Sequence, residues 1–186
     1  HNGLLWQQSL EFQYEFNEKG YKEAAEHRDE ARALALKTAM AVAMADGSLD
    51  KTEAVVLKEW ASKVIFSFTG DRQEKLKVLY NNAMREAHAA AKVGELSLSA
   101  ITQRLNEIAE KSTKYEAIEL CFEVMAADGV ADAGELSTIR KVAEVLELDF
   151  DEIEKMRDQK IIGLDTSVSD QASVEDLLGI EADWDE

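Results

Sequence analysis

Ala41-Val-Ala-Met-Ala-Asp-Gly-Ser-Leu-Asp-Lys-Thr-Glu53 decides how this chain is read, because the chain contains the pattern twice. The echo is Phe122-Glu-Val-Met-Ala-Ala-Asp-Gly-Val-Ala-Asp-Ala-Gly-Glu135. Asp46, Gly47, Asp50 and Glu53 recur as Asp128, Gly129, Asp132 and Glu135, each 82 positions later (128 − 46 = 82). Ala45/Ala127 and Ala61/Ala143 keep that register. The repeated unit reads as an apolar helix, an Asp-Gly turn and a second helix. Glycine at 47 and 129 can take the left-handed conformation that ends a helix without a Cβ clash. Asp50 and Asp132 then stand where the next helix begins, each with a glutamate three residues on. That is capping-box spacing: the aspartate accepts from an unpaired N–H and the glutamate reaches back. Structural capping alone thus accounts for Asp50, Glu53, Asp132 and Glu135.

Outward from the repeat, the periodicity is helical throughout. Tyr21 to Ala45 predicts one long helix, charged in its first half and alanine-rich in its second, so its end belongs inside a bundle. His27 stands among Glu23, Glu26 and Glu30, where a solvated histidine and a small metal clip are the two readings. Thr52 to about Phe68 carries the apolar stripe Val55, Val56, Trp60, Val64 and Phe68. Asp71 to Lys92 follows the turn Thr69-Gly70-Asp71. Gly94 and the Ser97/Ser99 pair mark a stop and a start, and Ser112-Thr113 is the expected cap of the helix carrying Ile118, Cys121, Phe122 and Met125. Glu135 to Glu147 and Asp149 to Lys160 complete the series.

The two ends read differently. In residues 4–18, the aromatic-rich sequence alternates like a strand yet also fits one helix face; helix is expected, with Gly20 as its break, and an exposed partner-binding arm is the alternative. Residues 161–186 hold eight acidic residues and no Lys or Arg, which predicts a linker or tail outside the bundle. The expected organisation is therefore an N-terminal helix or arm over 1–20, a helical domain over 21–160, and an acidic linker with the start of a further element over 161–186. The chain begins at His1 rather than methionine, so the expectation is a fragment that leaves room for a preceding anchor or signal.

Composition narrows the function classes. Proline is absent, and 46% hydrophobic content over 186 residues supplies one core of ordinary size. A net charge of −17 argues against nucleic acid and anionic membrane surfaces, and favours metal cations, basic partners or simple solubility. No stretch approaches the roughly 20 apolar residues of a membrane span. Cys121 is the single cysteine and lies in an apolar helical run, so a buried packing thiol in a reducing compartment is expected. There is no glycine-rich phosphate loop, no nucleophile elbow and no Glu-x-x-His pair on His1, His27 or His88, so the expectation is a protein that is not an enzyme.

Whether the repeated turn binds a cation stays open at the level of residues. With Gly47 as the fixed glycine of an EF-hand loop, Asp46, Asp50 and Glu53 fall on ligand positions, but Val42 and Met44 occupy positions that must coordinate; Val124 and Ala126 fail likewise in the second copy. Neither copy is an EF-hand. Two such half-sites packed about a pseudo-two-fold axis would nevertheless gather six carboxylates, and calcium takes 6–8 oxygens.

The doubled Ala45-Asp46-Gly47…Glu53 and Ala127-Asp128-Gly129…Glu135 pattern resembles the tellurite-resistance TerB family, over roughly residues 25–160. The resemblance implies an all-α, pseudo-symmetric helical bundle without established catalysis. It also implies a divalent cation (Ca, Mg, Mn or Zn) on Asp46, Glu53, Asp128 and Glu135, with Asp50 and Asp132 as further candidates. Met44 and Ala126 stand where the family often carries Lys or Arg, so no neighbouring cation is implied. Val174-Glu-Asp-Leu-Leu-Gly-Ile is similar to the opening of a J domain, and TerB-like domains also precede J domains in membrane-anchored cochaperones. The implied setting is the cytoplasm or the inner face of the membrane, in envelope or tellurite stress response, with a protein partner. The alternative is an interaction scaffold whose turns are only caps.

Overall fold

Helix α1 (Glu18–Ala43) is the axis about which the other elements are arranged. The computed structural model describes residues 18–45, 47–129 and 133–160. Seven α-helices lie among them: α1, α2 (Lys51–Phe66), α3 (Gly70–Lys92), α4 (Leu98–Ile108), α5 (Lys111–Met125), α6 (Ala133–Val145) and α7 over 150–160. A 3₁₀ turn, Ala126–Asp128, joins α5 to the second acidic turn. No described residue is in a strand, and the all-α bundle is as the sequence implies. The readings of residues 4–17 and 161–186 lie outside the described residues.

The second half of α1 is almost wholly inside. Leu36, Thr38, Ala39, Val42 and Ala43 are buried, and α5, α3 and α4 pack around them, α5 most extensively. Small alanines let three neighbours approach one helix closely. The first half of α1 is charged for a related reason. Asp29 pairs with Arg72 of α3 (3.0 Å), Glu30 with Arg104 of α4 (2.9 Å), and Arg32 with Glu116 of α5 (3.2 Å). Half-exposed pairs of this kind contribute little stability singly; distributed over three neighbours, they fix how α1 sits among them.

One core unites the helices. Leu57, Leu76, Leu105, Ile118, Phe122, Ile139 and Leu146 are each at most 2% exposed, and burying a side chain of this size contributes about 1.5–3 kcal/mol. Cys121 is fully buried, and desolvation pushes its thiol up to about 12; it is the packing residue the sequence predicts. Among the described residues no helix is long and apolar enough to cross a membrane.

Two boundaries differ from expectation. Gly20 does not break a helix but lies in the first turn of α1. Ser112 and Thr113 do not cap α5. The Lys114 N–H already bonds the Glu110 carbonyl (3.1 Å), so the helix starts at Lys111, and Thr113 is 3% exposed inside the bundle. The α4–α5 connection is only Ala109 and Glu110, both extended, and leaves no room for a later start. At the start of α3 the N-cap Thr69 makes no side-chain cap bond, whereas the starts of α4 and α7 are capped. The Ser97 side chain accepts from the Ala100 N–H, and Asp149 accepts from the N–H groups of Asp151 and Glu152.

Candidate functional site

The local unit recurs in register. Helix α1 ends at Ala43 and α5 at Met125; α2 begins at Lys51 and α6 at Ala133. Each pair of boundaries is 82 apart, the offset of the sequence repeat. Between them the Gly47 N–H bonds the Met44 carbonyl at 3.0 Å, and the Gly129 N–H bonds the Ala126 carbonyl at 3.2 Å, again 82 apart. Gly47 has φ +97° and Gly129 φ +80°, the left-handed conformation that favours glycine. Burial repeats as well: Ala35, Leu36 and Ala39 of α1 and Ala117, Ile118 and Cys121 of α5 are all fully buried.

In the first copy the predicted capping box is formed. Asp50 Oδ1 accepts from the Thr52 N–H (2.7 Å) and the Thr52 hydroxyl (2.6 Å), and Glu53 Oε2 accepts from the Asp50 N–H (2.8 Å). The hydrogen bonds from Thr52 hold the Asp50 carboxyl below the usual aspartate range. Glu53 is only 5% exposed. In the second copy Glu135 takes the same place in the first turn of α6 and is 6% exposed. Among the described residues Glu53 and Glu135 are the only buried carboxylates. Asp46 and Asp132 lie outside the described residues, as does the side chain of Asp128.

Tertiary packing relates the two turns. The 3₁₀ turn Ala126–Asp128 packs directly on α2, the helix that Asp50 and Glu53 initiate, with Cα atoms within 8 Å. Ala126 and Val56, one turn along from Glu53, line the same groove. Among the described residues no three His, Cys, Asp or Glu side chains form a group that could hold a metal ion; three of the six candidate carboxylates are beyond that statement.

One of the acidic neighbours of His27 is engaged elsewhere. Both oxygens of Glu30 are taken by Arg104, at 2.9 and 3.2 Å, while His27 lines a small cavity of about 130 Å³ with Arg28 and Thr113. The groove beside the second turn, about 410 Å³, is a feature the sequence reading did not find. Its Trp60 and Val56 share one face of α2 by their spacing of four, but the walls supplied by Glu123, Ala126 and Lys160 come from distant sequence.

A family model described as "Tellurite resistance protein TerB" matches residues 66–158, 93 of the 186 residues (158 − 66 + 1 = 93). The matched segment runs from the end of α2 into α7 and contains the second acidic turn; the first precedes it. No curated protein and no solved structure matches the chain.

Proposed function

The chain belongs to the tellurite-resistance TerB family, and from that membership we propose that it is a non-catalytic module whose acidic Asp-Gly turns take up a divalent cation in envelope or tellurite stress response. The observation that carries the reading is the placement of Glu53 and Glu135. These two carboxylates are buried at equivalent places in the first turns of α2 and α6, and the turn leading to the second packs on the helix begun by the first. A buried carboxylate is costly unless hydrogen-bonded or bound to a cation, and one carboxylate can accept several partners. Asp46, Asp50, Asp128 and Asp132 supply the remaining oxygens in this reading. The module works in the cytoplasm or at the inner face of the membrane, a reducing setting that suits the buried Cys121 thiol.

A second reading has its own support. The capping box of Asp50 and Glu53 gives both residues a structural task in the absence of any ion. On this reading the turns hold a scaffold together and a protein partner supplies the function, in association with a cochaperone element.

Thermal unfolding in EDTA, then with calcium, magnesium, manganese and zinc added singly, separates the two. A cation that binds only the folded chain adds roughly 2.7 kcal/mol at about 100 times its dissociation constant. That gain is expected to vanish in the Asp46→Asn/Asp128→Asn double variant, whose EDTA melting curve stays close to that of the parent. Superimposable curves in all five conditions would leave the scaffold reading.

A further inference from the structure

We propose that the groove between α2, α5 and α7 is the docking site of this chain's own segment Ile161-Ile162-Gly163-Leu164. The groove, about 410 Å³, takes its apolar lining from Val56, Trp60 and Ala126. Its size falls in the range of pockets that enclose a small apolar ligand. Lys160 fixes where the following segment starts. It is the last described residue of α7 and itself lines the groove, and its Nζ lies 3.0 Å from Oε1 of Glu123, another lining residue. The chain therefore leaves α7 beside an apolar surface.

The next residues suit that surface. Ile161, Ile162 and Leu164 are three large apolar side chains within four positions, directly after the charged run Asp151 to Lys160. Four extended residues reach about 13 Å, and Lys160 and Lys63 both line the groove. Charge points the same way. Lys63 lines the groove and has no ion-pair partner among the described residues, and Asp165 follows Leu164 at the start of a tail without Lys or Arg. A second copy of the chain would bring a net charge of −17 to a surface already carrying it, which favours the tethered segment as the occupant. The inference is independent of cation binding, although Ala126 places the docked segment beside the second acidic turn.

The test uses the full chain with Trp6→Phe and Trp184→Phe, which leaves Trp60 as the sole tryptophan. Acrylamide quenching of its fluorescence is compared with that of the same chain carrying Ile161→Asp, Ile162→Asp and Leu164→Asp. Docking predicts stronger quenching and a red-shifted emission in the aspartate variant, with unchanged far-UV circular dichroism. The conservative variant Ile162→Val/Leu164→Met is expected to keep Trp60 protected. Lys63→Glu is expected to expose Trp60, and Asp165→Lys in the same chain to restore protection. Equal quenching in all variants overturns the proposal. So does protection that disappears on dilution, which assigns the groove to a second copy, or protection that arises only when another protein is added.

Discussion

The two helix–turn–helix units share boundaries, turn hydrogen bonds and burial pattern at one offset, yet they fill the core with side chains of different size. Where α1 presents Ala39, Met40 and Ala43, α5 presents Cys121, Phe122 and Met125, all buried. The cause is the number of neighbours. Helix α1 packs against α2, α3, α4, α5 and α6, and closely packed helices on several sides leave space only for small groups; α5 packs chiefly against α1, α2 and α6 and contributes the bulk that fills the space between them. The units also differ at their turns. The second runs through a 3₁₀ turn packed on α2, whereas the first lies between α1 and a complete capping box. A repeated backbone thus tolerates divergent volumes provided that the sum across the interface fills it.

The largest test of this contrast is overpacking at paired positions. Ala39→Leu should cost about 3 kcal/mol, the upper part of the range for methylenes forced into a filled core, and Cys121→Leu about 1 kcal/mol, both read by urea unfolding. Equal costs would break the contrast, because they would mean that α1 is no more crowded than α5.

The next test concerns what the units share. Gly47→Ala and Gly129→Ala should each cost about 1 kcal/mol, because both backbones are left-handed while a Cβ at either would meet nothing within 4 Å. Matching losses would show that backbone conformation alone is responsible. A loss confined to Gly129 would point to the packing of its turn on α2 instead.

The smallest effect is expected at the first cap. Asp50→Ala should lower the Tm modestly at neutral pH. The Asp50 carboxyl titrates below its usual range, so the cap's contribution is complete above the ordinary aspartate pKa and fades as pH falls through the lowered one. Melting curves of parent and variant should therefore converge in acid. A gap that persists there would assign the loss to something other than the ionised cap.

How far these features were legible depended on their range along the chain. The Asp50 capping box, the left-handed glycines, the Ser97 cap and the start of α7 at Asp149 depend on residues three or four apart, and the sequence displays them directly. Thr113 misled because a threonine before an apolar run is read as a cap, while its side chain was needed inside the bundle. The partners of Asp29, Glu30 and Arg32 could not be read at all, since they lie 43 to 84 positions away. The groove at Trp60 was hidden for the same reason.

By itself the sequence determined the helices, the repeated Asp-Gly turns and the chemical character of each face, because these follow from local backbone preference and from hydrophobic periodicity. Only the tertiary structure decided that α1 would be the central helix, that the second turn would rest on α2, and that Glu53 and Glu135 alone among the described carboxylates would be buried. Those outcomes depend on how several amphipathic helices divide a limited interior volume, and no single segment encodes that division.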